Sequence, residues 1–506
     1  MKNFKTTVLN LPPEHDYPAG LIHPYWARKP LNIIESIICH FSKEGDTVAD
    51  PFMGSGTSIV AAIKNNRNAI GGDLSPVSKL LVSGILSSSK SPEKFRIVLN
   101  NAVSNWTDFA ISLYETNCGR CVERESYFVD GEFVDGLFKL SFEEAKLKPI
   151  VDKELKGKVE LVQELSFKNK LCRKGLKTPV NFSKIKFTEN TRIAVHKGTK
   201  ASDFFTERNM IFINHAQAYI SENITCIEEV DFLKLFLSSL IPMLRLSDKK
   251  ASSQWPYWRP KKELTSRNPC VAIKRRNKAF IKCLNWEASF LNSDSVTSSV
   301  FQLSADDFES VIEEKVDLIV TDPPYADHAP YLEYSDLYWS IVNGERTQHL
   351  WNKEIVKTNA VGRLNDSNDY ELRMFNSLCR VLSCLKEEGY FIFFYLDKNL
   401  NNWQSIKNAI HESGCVTEDV IAIPKQRRSM KAVTSPGKTL DGDLIIVCKK
   451  TKALKEVRVK ASLKEILKEV EGDTYFDRYG HFIKEYLTTE ISDLSNFSIK
   501  DISRMI

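Results

Sequence analysis

Asp50-Pro51-Phe52-Met53-Gly54-Ser55-Gly56-Thr57 is the stretch on which the reading of the fold turns. Thr47-Val48-Ala49 before it is short and strand-like, and Ser58 to Lys64 after it has a helical pattern. Two glycines two residues apart remove Cβ atoms where a ligand must approach the backbone. They also allow the positive φ that a tight strand-to-helix turn often needs. The helix start then offers free N–H groups to a carboxylate or phosphate. Beyond it, Ala69-Ile70-Gly71-Gly72 reads as a second strand ending in Asp73, and Leu31 to Ile38 reads as a helix ahead of the first strand. Strand, glycine loop, helix, strand and terminal acid form the opening of a doubly wound, Rossmann-like α/β sheet.

A second run of strands lies between about Val300 and Lys450. Val316 to Val320 and Gly389 to Tyr395 read as buried strands, followed by Val420 to Ile423 and Leu444 to Val447. Helices are expected between Tyr370 and Lys386 and between Trp403 and Ser413. The last two strands read as an antiparallel hairpin at the sheet edge. The segment between the halves differs: residues 140–200 are lysine-rich with short polar strands and turns, and residues 228–247 carry an amphipathic helix. The simplest account is one sheet interrupted by a large insert. It divides the chain into 1–88 (cofactor-binding part), 89–299 (insert), 300–451 (catalytic part) and 452–506. In the last part, Leu463, Ile466, Leu467 and Val470 predict a packed helical appendage.

The acids at the strand ends select the cofactor. Asp50 could face an ammonium group, and Asp73, followed by Leu74, is placed to hydrogen-bond ribose hydroxyls. An ammonium partner beside a carboxylate partner and a ribose partner suits S-adenosylmethionine better than NAD. Pro51, Phe52, Gly54, Ser55, Gly56 and Thr57 complete that expected site.

Asp322-Pro323-Pro324-Tyr325 follows the buried strand ending at Val320 and Thr321. The turn resembles that of the amino methyltransferases, whose target, an exocyclic amine on a nucleobase, is a poor nucleophile because its lone pair is drained into the ring. Asp322 and the carbonyl after it could accept both N–H bonds and pull the nitrogen toward tetrahedral geometry. The prolines fix φ and preset the loop. Tyr325 offers a π face on which a base removed from a duplex could stack. A sulfonium methyl is already activated, so alignment for in-line attack is what remains.

These two motifs resemble those of the amino methyltransferases, which methylate exocyclic nitrogen on adenine or cytosine in DNA. The resemblance implies a double-stranded DNA substrate and, from Asp rather than Ser before the two prolines, N6 of adenine over N4 of cytosine. It also implies that His23, Tyr25, Lys29 and Pro30 close over the methionine end of the cofactor, and that Asp306, in Ser304-Ala305-Asp306, contacts the adenine ring. Ala326-Asp327-His328-Ala329-Pro330-Tyr331 and the Tyr- and Asp-rich run after it resemble a narrower group of bacterial adenine-specific methylases. There His328 reads as a loop or substrate contact rather than a general base. The narrower group often carries a zinc ribbon near Cys118-Gly119-Arg120-Cys121. Here no second Cys pair follows, Cys172 stands alone, and Cys172 with His196 would be a guess at completing a site, so no metal ligand is assigned.

Between the two motifs this family usually carries the domain that reads the target sequence. Trp255, Tyr257, Trp258, Arg259, Lys261 and Lys262 lead into Arg267, Lys274, Arg275 and Arg276. Interleaved aromatics and cations suit a phosphate track with stacking contacts, or alternatively a solvated basic face. Lys425, Arg427 and Arg428 form a second candidate patch. Family habit places any restriction or defence nuclease on a separate chain. Three alternatives stay open: N4-cytosine methylation, the same chemistry on RNA or protein, and a recognition subunit without turnover.

The 506 residues are 42% hydrophobic and 27% charged, which argues against wholesale disorder and for two or three domains. A net charge of +5 is too mild to announce nucleic acid, so local charge must decide. Eleven cysteines, several in apolar surroundings such as Cys379, Cys384 and Cys448, read as reduced thiols. With no apolar run long enough to span a bilayer and no signal-like start, a cytoplasmic location is expected.

Overall fold

The computed structural model describes residues 2–25, 28–115, 121–134, 137–149, 180–193, 195–247, 263–289, 296–325, 330–358, 360–363, 367–424, 440, 442–452 and 458–493. The chain enters through Lys2–Asn10 (α1), Pro18–Leu21 (α2) and Leu31–Phe41 (α3). Leu31, Ile33, Ile34, Ile37 and Ile38 share the buried face of α3, and Pro30 supplies a preset φ of −64° at its N-cap. Gly45, at φ +85°, turns the chain into Thr47–Asp50 (β1). The glycine loop, Thr57–Lys64 (α4) and Asn68–Asp73 (β2) follow in the order read from sequence.

Pro76–Lys90 (α5) and Pro92–Tyr114 (α6) both start on proline, whose missing N–H has no helical partner to lose there. Val122–Val134 (β3) and Leu137–Pro149 (β4) then form a long antiparallel hairpin. Its length escapes the sequence reading because the register shifts between Ser126 and Phe128, so no single alternation runs through it. Glu207–Asn223 (α7) and Ile227–Leu244 (α8) come next, the latter being the amphipathic helix expected at 228–247. Glu263–Arg267 (β5) adds a third strand to the hairpin and Pro269–Glu287 (α9) follows it.

Ser298–Gln302 (β6), Val316–Thr321 (β7), Tyr331–Asn343 (α10), Ser367–Ser383 (α11), Leu385–Phe394 (β8), Leu400–Glu412 (α12), Cys415–Pro424 (β9) and Gly442–Lys450 (β10) complete the main sheet, in the order β6-β2-β1-β7-β8-β10-β9. Strands β6 to β8 are mutually parallel, and β10 runs antiparallel between β8 and β9. The expected edge hairpin is therefore present, with β10 on its inner side. Alternate residues serve two cores. Val48, Leu318, Val320, Ile392 and Phe394 pack with α3, α4 and the helices α5 to α9. Ala49, Ile319, Phe391 and Phe393 pack with α11 and α12.

The tail joins the second core. Arg458–Ser462 (β11) and Thr489–Asp493 (β12) pair in parallel, enclosing Leu463–Lys468 (α13) and Tyr475–Thr488 (α14). Helix α13 ends before Val470, so the expected stripe stops short. The larger contribution is α14, which buries Tyr479, Phe482, Ile483 and Tyr486. Its capping box, Thr474 with Asp477, is the signal that marks its start. Among the described residues no helix is long and apolar enough to cross a membrane.

Candidate active site

From β1 the chain runs outward through β2 to β6, and from β7 it runs the other way through β8. Such a reversal opens a crevice at the carboxyl ends of the two central strands. A cavity lies there, bounded by Asp50 to Ser55 from one strand end and Asp322 and Pro324 from the other.

Asp50 is held by the loop it begins. Its Oδ1 accepts from the Phe52 N–H at 3.0 Å and the Thr321 hydroxyl at 2.6 Å, and its Oδ2 accepts from the Ser58 hydroxyl. Burial outweighs these bonds and pushes its carboxyl up to about 7. Asp73 accepts from the N–H groups of Gly54 (2.9 Å) and Ser75 (2.7 Å), and burial raises it to about 6. Gly54 and Gly56 have φ of +50° and +76°, as the turn requires. The close approach they permit is partly to the protein itself. A Cβ at Gly54 would lie 2.9 Å from the Tyr25 hydroxyl, and one at Gly56 would lie 2.5 Å from Val82. Pro51, Phe52, Ser55, Thr57 and Leu74 all line the cavity.

Asp322 lies across the cavity. Its Oδ2 is 3.4 Å from the Lys29 ammonium, while its Oδ1 is buried and has no hydrogen-bond partner. Burial pushes this carboxyl up to about 6, with the Lys29 charge opposing. Lys29 also bonds Asp443 at 2.7 Å and the Tyr325 hydroxyl at 3.0 Å, and sits 5.1 Å above the Phe394 ring. Expected among the cofactor residues, Lys29 lines the cavity and is also bonded to the Asp322–Tyr325 loop. The loop is fastened from behind: the Tyr370 hydroxyl donates to the Pro324 carbonyl at 2.7 Å, and Tyr325 meets Tyr395 edge-on at 5.3 Å. Pro323 is buried. Tyr25 and Tyr331, near-parallel at 14° with centroids 6.3 Å apart, line the cavity side by side. At the other end, Leu332, Glu354 and Ile355 form the wall, and Arg363 braces it by bonding Glu354 at 2.7 Å and Glu333 at 2.9 Å. Asp443 and Arg363 carry no motif, so only their neighbours in space mark them.

Several expected site residues are placed elsewhere. His23 is buried, with Nδ1 2.8 Å from the Pro24 carbonyl and Nε2 2.9 Å from Ser238 Oγ. Burial lowers it to about 3, so it stays neutral and ties the segment to α8 instead of facing the cofactor cavity. Asp306 turns its Oδ1 to the Ser377 hydroxyl on α11, leaving Ser304 and Ala305 to line the cavity. Arg267 is buried and donates to Ser247 at 2.7 Å. Arg276 spends its guanidinium on the Leu21 carbonyl at 2.8 Å, the Ile22 carbonyl and Ser239. Arg267, as a buried cation, must be satisfied inside the protein and is an internal fastener, whereas Arg276 is half-buried with its guanidinium on those internal acceptors. Lys274 and Arg275 remain exposed on α9. Trp255, Tyr257, Trp258, Arg259, Lys261, Lys262, Lys425, Arg427 and Arg428 lie outside the described residues, as do Cys118, Cys172 and His328. Among the described residues no cluster of three or more His, Cys, Asp or Glu could hold a metal ion.

Comparison with known proteins supports the same end of the chain. Residues 5–80 match the family model described as DNA methylase. The chain is 29% identical over 92 residues to the Type II methyltransferase M.MjaII of Methanocaldococcus jannaschii, covering 18% of this chain and 17% of that protein. It is 40% identical over 78 residues to the Type II methyltransferase M.BglI of Bacillus subtilis, covering 15% of this chain and 21% of that protein. These matches thus span about a fifth of either relative's length. Among solved structures, one of a methyltransferase from Thermoplasma acidophilum aligns at 13% identity over 35% of this chain and 55% of that one, with a TM-score of 0.18. A superposition that weak carries no weight beside the strand order.

Proposed function

We propose that this chain is an S-adenosylmethionine-dependent DNA methyltransferase acting on N6 of adenine, with the target base taken out of the duplex. The observation that carries the reading is Asp322 Oδ1, a buried acceptor without a partner that shares one cavity with the acid–glycine loop. The DNA methylase pattern over residues 5–80 supports the cofactor half of the reading. The likeness to two Type II methyltransferases supports the class of reaction.

The donor set fits the cofactor. Asp50 offers an anion for an ammonium group, Asp73 an acceptor for ribose hydroxyls, and Phe52, Leu74 and Ile355 apolar walls for a purine. When bound, S-adenosylmethionine supplies a methyl group already activated as a sulfonium. Asp322 Oδ1 accepts one N–H of the target amine and the carbonyl of the following proline the other, localising the nitrogen lone pair. Lys29, bonded to Oδ2, opposes the burial and favours the ionised acceptor. The nitrogen so held would take the methyl carbon that the bound donor would supply, the electron pair of the C–S bond going to sulfur. The cationic amine then loses its proton to Asp322 or water. Lys274 and Arg275, with the basic and aromatic segments read from sequence, would meet DNA phosphates.

The test is transfer of labelled methyl to mixed genomic DNA by the wild type and by Asp322→Ala, with nucleoside analysis of the product. N6-methyladenine made by the first and lost in the second is the expected result. N4-methylcytosine alone would replace the adenine assignment, and label found only on RNA or protein would overturn the DNA substrate.

A further inference from the structure

The two prolines of the Asp322–Tyr325 loop have no N–H, so the middle of this loop can be tied down only through its carbonyl oxygens. One such tie comes from α11, where the Tyr370 hydroxyl donates to the Pro324 carbonyl at 2.7 Å. The same hydroxyl is 3.1 Å from that of Tyr395, which follows β8. Both tyrosines are fully buried, and neither lines the cavity. The Tyr395 ring also meets the Tyr325 ring edge-on, so the two residues hold the loop at its last two positions.

A phenol has one proton to give and lone pairs with which to accept. Tyr370 gives its proton to a carbonyl, which can only accept, so toward Tyr395 it is the acceptor. The Tyr395 hydroxyl is also 3.2 Å from Asp397 Oδ2, an oxygen that takes an N–H from Asn402 at 2.5 Å. With Asn402 serving that oxygen, the Tyr395 proton is available to Tyr370, and a donor that itself accepts makes the stronger bond. Burial raises the Tyr395 hydroxyl well above its ordinary range, so its proton stays in place. The far end of this relay is fixed to α12: Trp403 meets the Tyr395 ring edge-on at 4.9 Å and donates to the Asp397 carbonyl at 2.9 Å. Because proline torsions are preset, a loop held at the Pro324 carbonyl is held at Pro323 as well.

We propose that Tyr370, supported by Tyr395, is a positioning residue for methyl transfer: it holds the Pro324 carbonyl against α11 and so sets where the Pro323 carbonyl and the Asp322 carboxylate stand to receive the target amine. This rests on the DNA methyltransferase reading above. It adds the residues, outside the cavity, on which the alignment of that amine depends.

The test measures kcat, the KM values for DNA and S-adenosylmethionine, and urea stability in Tyr370→Phe, Tyr395→Phe and the double variant, which keep the rings and lose only hydroxyls. Tyr370→Phe should lower kcat by about 10- to 100-fold, the scale of a misalignment of about 1 Å, with both KM values within about twofold of wild type. Tyr395→Phe should lower kcat by about threefold, since it weakens the bond to Pro324 without removing it, and should add nothing in the Tyr370→Phe background. A lower urea midpoint with unchanged kcat in Tyr370→Phe is the mark of a fold contact alone and overturns the assignment. So does a loss carried wholly by KM, and kcat losses that multiply in the double variant overturn the relay. If Tyr370→Phe no longer binds S-adenosylmethionine it is misfolded, and Tyr395→Phe decides: a kcat loss at unchanged KM supports the assignment, and no loss overturns it. A wild type that binds S-adenosylmethionine yet transfers nothing to DNA overturns the reading beneath, and this assignment with it.

Discussion

Two carboxylates follow neighbouring strands, Asp50 closing β1 and Asp322 just beyond β7, and they are bonded to the molecule in opposite ways. Asp50 has both oxygens filled, by Phe52, Ser58 and Thr321. Asp322 has one oxygen on Lys29 and the other on nothing. Asp50 is buried and Asp322 half-buried, and desolvation raises both, to about 7 and about 6. The difference lies in where their partners come from. Two of the Asp50 partners lie within eight residues along the chain, so the turn and its acid form together. The partner of Asp322 is Lys29, in a segment that precedes the whole sheet, so this acid is set only when the sheet closes. A carboxylate bonded at both oxygens holds a loop in shape, and three bonds on four acceptor sites still leave room to face an ammonium. A carboxylate with an oxygen left bare is arranged for something that arrives.

The largest effect is expected from Asp322→Ala. Methyl transfer should fall by about 10³-fold or more, while cofactor affinity in calorimetry changes by less than about threefold. An equal loss in both would erase the contrast, making Asp322 part of the cofactor site. Lys29→Met comes next, at about 10- to 100-fold in kcat, because the charge beside Oδ2 is gone. Its sharper readout is the acid limb of the pH–rate profile. Transfer needs the ionised acceptor, so the wild-type rate with saturating cofactor should fall as pH drops through about 6. In Lys29→Met that limb moves to higher pH; an unmoved limb would mean that the ammonium does not act on Asp322.

Cofactor affinity should follow a different acid. Asp50 must be ionised to face an ammonium, so binding should weaken as pH falls below about 7 and should release protons measurable by calorimetry in buffers of different ionisation heat. Asp50→Asn should flatten that dependence. The smallest effect is that of Thr321→Val, which removes one bond between the two strand ends. Stability to urea should drop by about 1 kcal/mol with little change in the rate of transfer. A large rate loss there would show that the two acids are coupled more tightly than their bonding suggests.

Much of the fold was legible because it rests on local chemistry. The period-two alternation that sends Phe391 and Phe393 to one core and Ile392 and Phe394 to the other is written in four consecutive residues. Misreadings arise where a residue type has two uses. A run of arginines and lysines looks the same whether it faces phosphate or carbonyl oxygen, and Arg267 and Arg276 turn out to serve the interior. His23 sits in a segment that resembles a cofactor lid, yet its ring packs against α8, which follows by some two hundred residues.

From the chain alone one could read the glycine loop, its two acids and the aspartate–proline–proline–tyrosine turn. Positive φ, fixed proline torsions and an acid at a strand end are properties of a few adjacent residues and need no distant partner. The charge arrangement around the bare oxygen belongs to the tertiary structure. Lys29 and Asp443 stand 414 residues apart in sequence, and they meet only because β10 inserts between β8 and β9 and brings its first turn back to the crevice. Burial and proximity are set by the packing of the whole chain, and no short stretch of it carries them.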